Sequence, residues 1–176
     1  SCPTATPSRT RSGLVPGIDI ADRSIADLRD QVNAVVLSGE GRVIVFACDH
    51  GAIPAEDEVT GTVTIPCAGA LPPSFIDYVL SRNRADGVML AGCADCNCHH
   101  RTGIVWTEAR IARTRDPHLR ARVSRDRLAT VWADADAKAR ADRAVKAFRE
   151  RLTALPKPKP KPQRALKEAV EGEPNA

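Results

Sequence analysis

Aromatic residues are scarce in this chain: three Phe, one Tyr and two Trp among 176 residues, or 3%. Any core must therefore be aliphatic, and with 43% hydrophobic residues there is enough material to build one. No apolar run approaches the roughly 20 residues that cross a bilayer, so no membrane span is expected. No secretory leader is read at the start, so the six cysteines are not taken as the disulfide framework of a small secreted domain. A reducing, cytoplasmic compartment is expected instead. Internal repeats are absent, and no nucleophile is paired with a general base. An independent substrate site is therefore not expected.

The net charge is only +4, and much of the basic excess lies in Arg140–Arg151 and the tail. Pro156-Lys157-Pro158-Lys159-Pro160-Lys161-Pro162 can form neither helix nor sheet ladder, and reads as extended polyproline II with solvated charges. Lacking interleaved aromatics, it reads as a linker and not as a nucleic-acid contact.

What the sequence does have is thiols in a pattern. Gly92-Cys93-Ala94-Asp95-Cys96-Asn97-Cys98-His99-His100 places three thiols and two imidazoles directly after the apolar run Gly87–Ala91. Arg42–Ala47 runs into Cys48, and Thr62–Pro66 runs into Cys67. Packing does not ask for this; a soft metal centre or thiol redox chemistry would. The short β-branched runs read as buried strands, and helix-compatible segments alternate with them. The fold expected is α/β: a doubly wound sheet of four parallel strands (flavodoxin- or Rossmann-like), ordered 2-1-3-4, with helices on both faces. Parallel strands would bring Cys48, Cys67 and Cys93 to one carboxyl edge, where such folds place their ligands.

Four segments follow. Residues 1–21 read as a linker, and residues 22–40 as a connecting helix from Asp22 or Ser24 to about Leu37. Residues 41–155 form the α/β domain, and residues 156–176 a Pro/Lys-rich tail without fixed structure. Within the domain the strands are Arg42–Ala47, Thr62–Pro66, Gly87–Ala91 and Leu128–Ala133. Helices are expected from Pro72 to Arg82, Ile104 to Arg115 and Ala135 to Leu155, with Asp134 capping the last. Ser1-Cys2-Pro3 reads as cut from something longer. Cys2-Pro3 matches the last position of the ferredoxin run C-x2-C-x2-C-x3-C-P.

Taken together, strand–Cys48, Pro66-Cys67-x-Gly69, Gly92-Cys93-x4-Cys98-His99 and Arg101-x-Gly103 resemble the delta subunit of methyl-viologen-reducing hydrogenase. The likeness extends from Arg42 to Leu155 and includes Val131-Trp132-Ala133. It implies an electron-transferring subunit of an oxidoreductase complex, with a [2Fe–2S] cluster. The partners implied are hydrogenase or formate dehydrogenase subunits and a heterodisulfide reductase-like flavin subunit. Cys2 would join a [4Fe–4S] cluster only in a longer native chain, as the remnant of a ferredoxin-like segment. The family usually carries a second cysteine three residues after the first, where this chain has Gly51; Cys96 stands where the family usually has glycine. The expected ligands are Cys48, Cys67, Cys93 and either Cys98 or Cys96, with Arg101, His99 and His100 placed to stabilise the cluster's negative charge.

Two other readings remain open at this level. One is a zinc-stabilised protein-interaction module using Cys93-x2-Cys96 and Cys98-His99. The other is a thiol–disulfide oxidoreductase using Cys93 and Cys96. Outside the thiols, His50 reads as structural, Glu108 and Arg110 as a solvated helical face, and Trp106 and Trp132 as core.

Overall fold

Four short aliphatic and β-branched runs become the strands. The computed structural model describes residues 24–94 and 97–156. Its strands are β1 (Val43–Cys48), β2 (Thr60–Ile65), β3 (Gly87–Gly92) and β4 (Leu128–Trp132); its helices are α1 (Ile25–Ala34), α2 (Pro73–Ser81), α3 (Gly103–Ala112) and α4 (Lys138–Thr153). All strands pair in parallel, in the order β2-β1-β3-β4. This is the doubly wound α/β sheet expected from the sequence. The terminal linker, Cys2, Cys96 and the Pro/Lys-rich tail lie outside the described residues.

The central strands β1 and β3 are buried at every position, which is why they show no polar alternation. Edge strand β2 does alternate: Val63 and Ile65 are buried while Thr62 and Thr64 are half-buried. Side chains of successive strand residues leave on opposite faces. Ile44, Phe46, Val88 and Leu90 therefore meet Val32 of α1, Phe75, Ile76 and Val79 of α2, and Ile111 of α3. Val43, Val45, Met89 and Ala91 meet Ala141, Val145, Phe148 and Leu152 of α4 on the other face. Helices cover both faces, three on one and one on the other.

Local chemistry sets the element ends. Ser24 and Asp27 form a reciprocal capping box, with Asp27 N–H donating to Ser24 Oγ and Ser24 N–H to Asp27 Oδ2, so α1 starts at Ile25. It stops at Ala34, short of Leu37, because Val35 turns extended and Ser38 N–H donates to Glu58 O beside β2. Arg113, at φ 68°, ends α3 earlier than expected. The start of α4 is also later, at Lys138 instead of Ala135. Its cap position is Ala137, which makes no side-chain cap, and Asp134 is used elsewhere.

Polar anchors hold the amino edge of the sheet and the cover over α2. Arg42 donates through its backbone N–H and Nε to Asp86 Oδ2, at 2.9 and 3.2 Å, and Asp86 N–H returns to Arg42 O at 2.8 Å. Burial pushes the Asp86 carboxyl up, but Arg42 and Arg127 outweigh it and hold the group below the usual carboxylate range. This clamp levels the starts of β1 and β3, and so also levels their ends. Buried Asp77 on α2 accepts from Arg120 Nη1 at 3.0 Å and from Arg122, tying the loop before β4 over α2.

Candidate metal centre

Register places the thiols. Ala47 of β1 stands opposite Ala91 of β3, and Cys48 stands opposite Ile65 of β2. Cys48, Cys93 (one residue past β3) and Cys67 (two past β2) therefore emerge at the same sheet edge. Cys98 approaches from the loop before α3. The four sulfurs group together: Cys48 Sγ lies 3.8 Å from Cys93 Sγ. Cys67 senses the charges of Cys98 and Cys93, and Cys48 those of Cys93 and Cys67. Cys48, Cys67 and Cys93 are buried, at 2%, 8% and 3% exposure, and Cys98 is half-buried; all four are free thiols.

Two close backbone approaches make this grouping possible. A Cβ on Gly103, the first residue of α3, would lie 2.4 Å from Cys67 Sγ and 3.4 Å from Cys98 Sγ. No side chain fits between these thiols and the helix. Gly51 lies against the other strand end: a Cβ there would stand 2.6 Å from Gly92 C and 3.0 Å from Cys93 N. Gly51 thus packs backbone to backbone against the end of β3. That packing draws the Cys48 and Cys93 loops together.

Cys48 and Cys67 are harder to ionise than exposed thiols. Burial, with Cys93 and Cys67 nearby, pushes the Cys48 thiol up to about 11, although the His50 amide donates to it. Burial likewise pushes Cys67 up, opposed by the amides of Gly69, 3.4 Å from its sulfur, and Ala70. Several neighbouring thiols in an apolar edge cannot all ionise alone, because each charge disfavours the next. A bound cation reverses this. The donor set, its burial and its amide donors fit a thiolate-ligated metal or iron–sulfur group.

Other residues at this edge differ from the sequence reading. Asp134 does not cap α4; its Oδ1 accepts from Ala94 N–H at 3.1 Å and Asn97 Nδ2 at 3.4 Å, and its backbone bridges Gly51. It clasps both ends of the cysteine loop. Glu108 is not merely solvated, since it accepts from Trp132 Nε1 at 2.8 Å and ties α3 to β4. Arg110 turns inward and donates through Nη1 to Gly69 O at 2.6 Å, holding the Cys67 turn. Burial and the neighbouring Arg115 lower its pKa, and it stays a cation. Trp106 is 39% exposed under Arg115 and does not belong to the core, whereas Trp132 packs against it as expected. Arg101 is exposed and left-handed, and its N–H closes a turn on Cys98 O at 2.8 Å. His50 is not a lone structural residue: its ring stacks on His99 with centroids 3.9 Å apart.

None of these partnerships had a usable sequence signal except Asp134, whose place at a strand end put it at the same edge as the thiols. Cys96 lies outside the described residues, so the geometry here concerns Cys98.

Comparison with known proteins matches this sequence to a hydrogenase subunit family. The family described as "Methyl-viologen-reducing hydrogenase, delta subunit" matches residues 43–156. A curated relative, an F420-non-reducing hydrogenase iron-sulfur subunit of Archaeoglobus profundus, is 31% identical over 74 residues, which covers 36% of this chain and 53% of the relative. The chain thus spans about half the length of the curated relative it matches. The family match runs from the start of β1 to the end of α4 and takes in every strand and all four grouped thiols, so this chain belongs to the methyl-viologen-reducing hydrogenase delta subunit family.

Proposed function

We propose that Cys48, Cys67, Cys93 and Cys98 hold a [2Fe–2S] cluster, and that the chain relays electrons within an oxidoreductase complex. The observation that carries this reading is the convergence of four thiols from three strand ends and the α3 entrance, three of them buried. Such a cluster, when bound, takes up and gives back one electron at a time. The chain's own part is to hold and insulate it. Buried sulfurs exclude water, and the amides of His50, Gly69 and Ala70 donate to Cys48 and Cys67. Donors to cluster sulfur favour the more reduced, more negative state and raise the potential.

Tetrahedral ligation at about 2.3 Å sets two sulfurs on one metal about 3.8 Å apart. The Cys48–Cys93 separation of 3.8 Å already has that value. Cys67 and Cys98, both against Gly103, supply a second pair. The family match and a relative named as an iron-sulfur subunit favour an iron–sulfur group over a single zinc ion. The partners we propose are hydrogenase or formate dehydrogenase subunits on one side and a heterodisulfide reductase-like flavin subunit on the other, in the cytoplasm. A [4Fe–4S] cluster through Cys2 belongs only to a longer chain.

Anaerobic purification tests the reading. The protein is expected brown, with about two irons and two sulfides per chain. Reduction should give the electron paramagnetic resonance signal of a single spin shared by two irons. A colourless protein after anaerobic reconstitution, or stoichiometric zinc without iron from iron-replete cells, would replace this reading with the zinc module. Turnover of a disulfide substrate by Cys93 would favour the thiol–disulfide alternative.

A further inference from the structure

Beside the thiols lies a second group of metal-ligating side chains. His50 comes from the connection after β1, and His99 and His100 from the loop before α3. The fold stacks His50 on His99, with ring centroids 3.9 Å apart and an interplanar angle of 16°. His100 stands edge-on to both, 4.9 Å from His99 and 6.1 Å from His50. One nitrogen of each ring lies within 4.8 Å of those of the other two, and all three residues are exposed. No carboxylate is part of this group, and among the described residues none of these ring nitrogens is engaged in a hydrogen bond or ion pair.

We propose that His50, His99 and His100 form an open three-histidine site for a borderline divalent cation of the Zn²⁺ class, separate from the four thiols. Neutral imidazoles suit Zn²⁺, Co²⁺ and Ni²⁺, whereas hard cations seek oxygen. Three nitrogens leave the fourth tetrahedral position to water or to a donor from another molecule. At metal–nitrogen distances of about 2.0–2.1 Å, ligand nitrogens lie roughly 3.3 Å apart. The trio must therefore contract and the stacked pair must splay. Imidazole χ2 is a broad torsion and all three residues are exposed, which leaves room for both movements. An ion here would bridge the loop that follows Cys48 to the loop that carries Cys98. Its consequence is a clasp across the two segments that deliver thiols. The inference does not depend on what the thiols bind.

Metal binding by the full, tag-free chain tests it. Zn²⁺ stoichiometry is measured anaerobically by equilibrium dialysis, and Co²⁺ is titrated in parallel and followed by absorbance. The His50→Ala/His100→Ala chain should bind one equivalent fewer than the wild type. The Co²⁺ bands lost in the variant should be ligand-field bands without sulfur-to-cobalt charge transfer. Each single variant, His50→Ala, His99→Ala or His100→Ala, should weaken this equivalent by at least about 10-fold, since even loss of an outer partner costs that much. His118→Ala, which faces Asp116 far along the chain, should leave it unchanged. Equal stoichiometry in wild type and double variant overturns the site. A lost equivalent that carries thiolate charge transfer overturns its independence, because the histidines would then serve the thiol centre. These residues are exposed, so unchanged melting of the metal-free variants keeps either result interpretable.

Discussion

Cys67 Sγ occupies the space that a side chain on Gly103 would fill, 2.4 Å from where its Cβ would stand. The entrance of α3 is therefore bare backbone facing a thiol, with Cys98 on the same side. Gly103→Ala is expected to lower iron retention severely while far-ultraviolet circular dichroism stays unchanged. Alanine favours a helix over glycine by about 1 kcal/mol, so a loss of cluster cannot come from a weakened α3. Wild-type iron content in this variant would show that the thiols move aside freely.

Cys67→Ser and Cys93→Ser are expected to lose the cluster, because each removes a buried sulfur from the group. Cys2→Ser should retain the normal absorbance of this domain's cluster, since Cys2 precedes the whole segment matched by the family. Anaerobic absorbance and iron content of the three variants check this directly.

Cys48 gives a pH dependence to the metal-free chain. Its thiol is pushed up to about 11 by burial and by its sulfur neighbours, against about 8.5 for a free cysteine. The folded state therefore holds its proton more tightly than the unfolded state. The resulting stability is fully present below the unfolded value and is lost as pH rises through the folded one. Melting of the metal-free chain should fall between about pH 8.5 and 11, and fall less in Cys48→Ser. At neutral pH, metal loading should release protons, measurable in weakly buffered solution.

Asp77 and Asp86 act in the opposite direction, at acid pH. For each, burial raises the pKa, but arginines (Arg122 and Arg120, or Arg42 and Arg127) outweigh it and leave the carboxyl below its ordinary value. Their contribution is present above the unfolded pKa of about 3.9 and lost as pH falls through the folded value. Asp77→Asn should cost about 1–2 kcal/mol at pH 7, a discounted figure because both arginines remain about half exposed. The difference from wild type should vanish in the acid limb of a denaturant series. A constant difference down to pH 2 would show that the loss is one of packing, not charge.

The order of elements was legible because it rests on patterns that survive without knowledge of neighbours. Val43–Ala47 and Gly87–Ala91 are short, apolar runs that suit buried strands better than helices, and the doubly wound order followed from alternation with helices. Cysteines placed after three such runs could be assigned to one edge for the same reason. Element ends were less legible, since they are fixed by tertiary partners. Ser38 bonds to Glu58 and so α1 stops early, and Asp134 serves the cysteine loop and not α4.

Spacing along the chain thus determined which residues form strands, on which edge the thiols emerge and which family the pattern resembles. It did so because period and chain direction are local properties of the backbone. Only the tertiary structure decided that Gly51 presses on Gly92 and that Gly103 makes way for Cys67. It alone turned Arg110 inward to the Cys67 turn and brought His50 to His99. Those relationships join residues far apart in sequence, and their signs depend on a few tenths of an ångström that no pattern of residue types encodes.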